Sequence, residues 1–117
     1  MPTIIYALPV LPGKADRVRG FQSEIEPHRS AYDELNRQAT VTRHEMYLQA
    51  SPQGDLAITV METDDPARLM RAFQDTPYDR WWRAWSKDVH GFDPADMRPE
   101  DFNPGALVFS SSHRLPR

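Results

Sequence analysis

Residues 40–63, TVTRHEMYLQASPQGDLAITVMET, decide the fold of this chain. Both ends of the stretch are rich in β-branched, aromatic and other apolar side chains, which favour strands. The residues between them, SPQGD at 51–55, are turn formers. Two strands joined by so short a polar, glycine-containing segment predict an antiparallel hairpin, with its strands over 40–50 and 56–63.

The sequence before the hairpin predicts one strand and one interrupted helix. Residues 3–10, TIIYALPV, have strand composition, and the proline near their end places the strand terminus or a sheet edge there. From 14 to 38, apolar residues recur at spacings of three and four, which is typical of one buried helix face. Pro27 lies inside this helix, so we expect it to kink or split near Glu26.

The sequence after the hairpin predicts two helices and a last strand. Asp64-Asp65-Pro66 is a helix start, with Leu69, Met70 and Phe73 on the buried side, and Asp75-Thr76-Pro77 repeats that signal. The second helix covers 77–90 and ends at Gly91. The remaining segments are a long irregular loop at 92–105, a strand at 106–110 and a tail at 113–117.

This order of elements is that of a ferredoxin-like α+β domain, βαββαβ, and all 117 residues fit one domain. Such a fold has a four-stranded antiparallel sheet with helices on one face. The strands are apolar at both alternating positions, as Ile4 with Ile5 and Val60 with Met61 show. The second face therefore also needs cover, and a second copy of the chain is the simplest partner. We expect a homodimer.

Composition narrows the function and the compartment. The net charge is −3 and the basic residues are scattered, which argues against a nucleic-acid-binding face. Cysteine is absent, which excludes disulfides and cysteine nucleophiles and fits a reducing compartment. The apolar run at the start is short and broken by Pro9 and Pro12, so we expect neither a signal peptide nor a membrane span. The expected location is the cytoplasm.

The stretch from about His44 to Phe92 resembles dimeric α+β-barrel proteins, and looks closest to a bacterial branch of uncharacterised function. The similarity lies in the hairpin HEMYLQASPQGDLAITVMETDDP, the helix start DTPYDRWWRAW and the sequence VHGFD. The resemblance implies that two chains dimerise through their sheets into a barrel, with a cleft between sheet and helices in each. Relatives include cofactorless oxygenases, isomerases, cyclases and haem-binding enzymes, so fold alone does not select a reaction.

The best candidate for catalysis is on the hairpin, since nucleotide-binding, zinc-protease and serine-hydrolase motifs are missing. The register that matches Met46 with Val60 puts His44 opposite Glu62. Such a pair suits a general base and its orienting carboxylate, or simply stabilises the sheet. A register shifted by one residue would instead pair Arg43 with Glu62. The preferred register leaves Glu45, Tyr47 and Thr59 on the other face, as candidate ligand contacts in the dimer barrel or as a polar interface network.

A second group of candidates lies on the aromatic helix. His90 suits an acid, a base or a haem ligand, or it interacts with the helix carbonyls. Tyr78, Trp81 and Trp82 suit the wall of a pocket for a flat apolar ligand, or core and dimer contacts. Among the tryptophans, Trp81 is the expected wall residue, whereas Trp82 and Trp85 are the expected core residues.

Haem-degrading relatives use an asparagine on the first strand, which TIIYALPV lacks, and the four histidines have no paired ligand spacing. We therefore expect no metal and no cofactor. The resulting hypothesis is a small-molecule-binding dimeric α+β-barrel protein, as a metal- and nucleotide-independent enzyme of the isomerase, cyclase or oxygenase type. The alternative is a non-catalytic ligand-binding or scaffold homodimer. The expected ligand is small and apolar or aromatic.

Overall fold

The computed structural model describes residues 3–72, 76–96, 105–114 and 116, which form a mixed α+β structure. Its sheet has three antiparallel strands in the order β1-β3-β2. The strands are β1 at Thr3–Pro9, β2 at Val41–Gln49 and β3 at Leu56–Thr63. These bounds confirm the first strand and the hairpin that the sequence predicts.

The predicted first helix is divided into three. Its parts are α1 at Ala15–Arg19, α2 at Phe21–Ile25 and α3 at Arg29–Gln38. A 3₁₀ turn at Glu26–His28 contains Pro27, which cannot donate the backbone hydrogen bond that an α-helix needs there. The interruption at Pro27 is therefore confirmed, whereas the earlier break at Gly20 is not part of the prediction.

Local signals begin and end the two later helices, α4 at Pro66–Ala72 and α5 at Pro77–His90. The Asp65 carboxylate accepts a hydrogen bond from the Arg68 backbone N–H at 3.1 Å. The Thr76 hydroxyl accepts one from the Asp79 N–H at 3.0 Å. Gly91 ends α5 in the left-handed region, at φ 86°. These starts and this end are confirmed, while Phe73 and the side chain of Met70 lie outside the described residues.

The sheet has one covered and one open face. Along β3 the residues Ala57, Thr59, Met61 and Thr63 are buried, and they alternate with half-buried ones. Ala57 packs in one core cluster with Trp85 and Val89 of α5, and Met61 in another with Leu69 of α4. The helices therefore cover this side. The other side, here called the open face, carries the exposed side chains of Ile5 and Tyr47.

The hairpin register differs by one residue from the preferred prediction. His44 pairs with Met61, and Glu62 pairs with Arg43. A bulge lies between Val41, which pairs with Thr63, and Arg43, so Thr42 is one extra residue in β2. From Arg43 to Gln49, which pairs with Leu56, the register is uninterrupted. His44 faces the helices together with Thr59 and Met61, and the predicted pairing of His44 with Glu62 is wrong.

The predicted last strand is also wrong. Residues 105–110 are described and contain no strand. A strand exists only where it has a partner, and this segment makes a single backbone contact with the sheet, from Gly105 N–H to the Ile5 carbonyl. In the preceding loop, Pro94–Asp96 forms a 3₁₀ turn, and 97–104 lie outside the described residues. The four-stranded sheet is thus replaced by a three-stranded one in the described part of the chain.

Candidate functional site

A small cavity lies between the sheet and α5. All three strands line one side of it, and the other side consists of the α5 residues Tyr78, Trp82, Trp85 and His90. Its volume is about 20 Å³, which is room for about one water molecule. A larger ligand would have to displace side chains, and two of the lining residues, Met46 and Met61, are of the most adaptable type.

His44 enters the cavity from β2 and is held by α3. Its Nδ1 lies 2.6 Å from the Tyr32 hydroxyl. A hydrogen bond from Asn36 lowers the pKa of Tyr32, although burial raises that pKa more strongly. We assign the Tyr32 hydroxyl as the donor to His44 Nδ1, since its oxygen also accepts from Asn36. Burial lowers the pKa of His44, so the ring is neutral near pH 7 and its Nε2 carries the remaining proton.

His90, the last residue of α5, has the opposite arrangement. Its Nδ1 lies 2.7 Å from the Pro9 carbonyl oxygen at the end of β1. A carbonyl only accepts, so Nδ1 must carry the proton. Burial lowers the pKa of His90, and the bond to Pro9 partly opposes this shift. The neutral ring therefore leaves a lone pair on Nε2, and only 6% of the residue is exposed.

The two imidazoles line the same cavity, and their assigned tautomers give one a donor and the other an acceptor at Nε2. His44 pairs with Met61, whereas Pro9, which holds His90, pairs with Leu56. These two positions are five residues apart on β3, so the backbone atoms that hold the two rings are offset along the strand. Once side chains move aside, the arrangement suits an elongated molecule with two polar groups.

Hydroxyl groups lie between the two histidines. Tyr6 and Thr59 are opposite each other on β1 and β3, and both line the cavity. Burial raises the pKa of Tyr6, and its hydrogen bond with Thr59 lowers it by less. Burial also raises the pKa of Tyr78. The phenols therefore stay protonated at neutral pH and provide neutral hydrogen-bonding groups beside the apolar walls.

The other predicted site residues lie elsewhere. Arg43 on the open face hydrogen-bonds Glu62 at 2.9 Å and also binds Glu45, which accepts the Tyr47 hydroxyl. This group of four, here called the polar row, is on the opposite side of the sheet from His44. Of the nine predicted site residues, the cavity brings together five, namely His44, Thr59, Tyr78, Trp82 and His90.

The tryptophans match the expected roles only in part. Trp85 is a buried core residue, as predicted, and it also lines the cavity. Trp82 lines the cavity as well, so the wall residue is not Trp81. Trp81 instead stacks on His28, with ring centroids 4.5 Å apart, and packs against Phe21. A helical wheel alone could not decide between them, because it does not show which side of the aromatic stripe faces the sheet.

Tyr6 and Tyr32 are site residues that the sequence predictions omit. Tyr6 alternates with Ile5 on β1 and so could have been assigned to the covered face once that face was known. No sequence signal could have linked Tyr32 to His44, because their contact depends on how α3 lies across the sheet.

Comparison with known proteins adds no identification. Protein-family models do not match this chain, and neither do curated protein sequences. Among the described residues, no three His, Asp or Glu side chains cluster in a way that could hold a metal ion. Within the described ranges, no helix is both long and apolar enough to cross a lipid bilayer. The fold and the cavity define a class: an α+β protein with a histidine-containing cleft.

Replacing Tyr32 with phenylalanine should lower the free energy of unfolding by about 1–2 kcal/mol, because buried His44 Nδ1 loses its donor. Urea denaturation measures this change. Tyr47→Phe is the matched control, since its hydroxyl binds Glu45 on the exposed surface and its loss should cost less than about 0.5 kcal/mol. Equal losses in both variants would contradict the assigned bond.

Acidification below about pH 6.5, the ordinary histidine pKa, should weaken the fold. Burial lowers the pKa values of His44 and His90 in the folded chain, so the unfolded chain binds more protons in this window. The free energy of unfolding should therefore be highest above pH 6.5. It should fall as the pH drops toward the lowered pKa values of His44 and His90. Urea denaturation between pH 7.5 and 5.5 tests this. The decrease of the unfolding free energy with falling pH should persist in His113→Ala and become smaller in the double variant His44→Gln/His90→Asn.

Proposed function

We propose that the protein is a cytoplasmic homodimer that binds an elongated, conjugated carbonyl compound and catalyses its tautomerisation, an isomerase-type proton transfer. The chemistry is assigned to the chain's own side chains. One observation carries the proposal: two largely buried neutral histidines line the same cavity with opposite hydrogen-bonding polarity. The two rings differ in tautomer, so that one offers an N–H donor and the other a lone pair, and titratable groups buried in a cavity are candidates for acid–base chemistry.

In the proposed reaction, His90 is the base and His44 the hydrogen-bond donor. His90 Nε2 accepts a proton from a carbon or hydroxyl of the ligand, and the electron pair moves along the conjugated system to the carbonyl oxygen. His44 Nε2–H donates a hydrogen bond to that oxygen and stabilises its negative charge. Water protonates the oxygen and takes the proton from His90, so that both rings end as they began and no atoms are gained or lost. Trp82 and Trp85 supply apolar walls for the flat body of the ligand.

The homodimer part of the proposal is supported by the open face. Ile5, Ala7, Ile58 and Val60 form an apolar centre on adjacent strands, since Ile5 pairs with Val60 and Ala7 with Ile58. Ile5 is 41% exposed in the single chain. A second copy packing sheet against sheet would remove this surface from water. Light scattering at micromolar concentration should give twice the monomer mass, and a monomeric mass would reject this part.

Solvent deuterium exchange tests the catalytic part. The probes are 4-hydroxyphenylpyruvate and 4-(4-hydroxyphenyl)-3-buten-2-one, each with a polar group at both ends, in D₂O, followed by ¹H NMR. The protein should accelerate exchange next to the carbonyl of at least one probe. His90→Asn and His44→Gln should abolish the acceleration, while the exposed tail variant His113→Ala should retain it. Retention in the two cavity variants, or no acceleration and no shift of histidine or tryptophan signals, would reject the proposal.

The second candidate is a non-catalytic ligand-binding or scaffold homodimer. The cavity volume of about 20 Å³ favours its scaffold form, because this space admits no organic molecule without side-chain movement. Probe binding that shifts the tryptophan signals without any deuterium exchange would select this candidate over the enzyme.

A further inference from the structure

The segment after Gly105 is apolar and exposed. Gly105 N–H donates to the Ile5 carbonyl oxygen at 2.5 Å, which places the start of the segment beside β1. Residues 106–110, here called the arm, then continue without burial. Leu107, Val108 and Phe109 are 84%, 93% and 82% exposed. Three consecutive exposed apolar side chains on a short segment require a partner surface in water.

The size of the open face shows what that partner is. Three strands about 4.8 Å apart and eight residues long form a face of about 400 Å². A stable interface buries about 800 Å² on each partner. The open face alone therefore supplies about half of the surface that the proposed homodimer needs. The three arm residues add about 300 Å² of apolar surface per chain.

We propose that the arm of each chain crosses to a second copy and packs beside the open face of its sheet. This inference rests on the proposed homodimer and assigns to it a reciprocal clasp. Because the dimer has two-fold symmetry, both arms make the same contact. Each chain therefore buries its own arm on the partner and is in turn contacted by the partner's arm. The partner that the arm binds is thus a second copy of the same protein.

Charge also favours this placement. The polar row on the open face contains the carboxylates of Glu45 and Glu62 and one guanidinium, that of Arg43, so its net charge is −1. Residues 103–117 contain no acidic residue, and Arg114 follows the arm closely. An arm that reaches the partner's sheet brings a positive group toward a negative row, which favours association.

Photo-crosslinking identifies the contact directly. The chain has no cysteine, so Val108→Cys introduces one labelling site for benzophenone maleimide. Equal amounts of ¹⁵N-labelled and unlabelled protein are mixed, allowed to exchange and irradiated, and the crosslinked peptides are analysed by mass spectrometry. The expected result is that about half of the crosslinked pairs combine the two isotopes. Crosslinks confined to one isotope, or none at all, would overturn the arm exchange.

Sedimentation of arm variants provides the second test. Leu107→Asp/Phe109→Asp should weaken the dimer by about 10- to 100-fold, whereas His113→Ala in the tail should not. If wild type is a dimer and the arm variant dimerises with the same affinity, the arm exchange is overturned, whereas the sheet-mediated dimer is not. A wild-type monomer would overturn both. Loss of deuterium exchange by His90→Asn is independent of either result.

Discussion

Trp85→Ala is expected to lower the free energy of unfolding by about 3–5 kcal/mol, the range for removing a large buried aromatic side chain. Trp85 is 3% exposed and shares a core cluster with Val18 and Val89. The ring of Phe21 meets it edge-on, with centroids 5.0 Å apart. Because typical domains have only about 5–15 kcal/mol in total, this change should bring the chain close to unfolding at room temperature.

Urea denaturation of three variants tests this. Trp81→Ala is the matched control, because Trp81 lies on the same helix but is only half-buried, and its loss should be clearly smaller. Trp85→Phe keeps most of the volume but removes the indole N–H that donates to Glu24 at 3.3 Å, so it should fall between wild type and Trp85→Ala. A larger loss for Trp81→Ala than for Trp85→Ala would contradict the assignment of Trp85 to the core.

His90→Asn should reduce the proposed proton-transfer rate by about 10²- to 10⁴-fold, the usual contribution of a positioned acid or base. The asparagine amide can still donate to the Pro9 carbonyl, as Nδ1 does, so the end of α5 should remain in place. The variant then lacks only the lone pair on Nε2. The measurement is the initial rate of deuterium exchange with the most reactive probe, and a rate equal to wild type would remove His90 from the mechanism.

The pH profile gives this prediction a second readout. The base must be neutral, and burial lowers the pKa of His90 below the ordinary value of about 6.5. The wild-type rate should therefore be constant around pH 7 and fall only as the pH passes below the lowered pKa. His90→Asn should lose this acid limb along with most of its rate, whereas His113→Ala should keep both. An acid limb retained in His90→Asn would belong to another group.

Element boundaries that depend on neighbouring residues are predictable from this sequence. Asp65 and Thr76 begin their helices with hydrogen bonds to N–H groups three residues later, and Gly91 ends α5 in the left-handed region. Each of these interactions lies within one helical turn, so the local sequence contains the whole signal. The same holds for the break at Pro27.

Contacts between distant segments are not predictable in this way. The hairpin pairs Gln49 with Leu56 next to the turn, one residue away from the register that matching apolar residues across the strands favours. His44 and His90 are both sequence candidates that line the cavity, but each imidazole is held by a residue of another element, Tyr32 and Pro9 respectively. The missing last strand has the same cause: ALVFS has strand composition, yet a strand needs an edge to pair with.

The bulge in β2 makes the cleft insensitive to one particular change in strand length. Val41 faces the helices, Thr42 and Arg43 both lie on the other side of the strand, and His44 returns to the helix side. Deleting the single codon for Thr42 would leave Val41, Arg43 and His44 in regular alternation, with His44 still on the side of the cavity. For a lineage that carries this hairpin, gain or loss of this one codon is therefore a length change that keeps the histidine of the cleft.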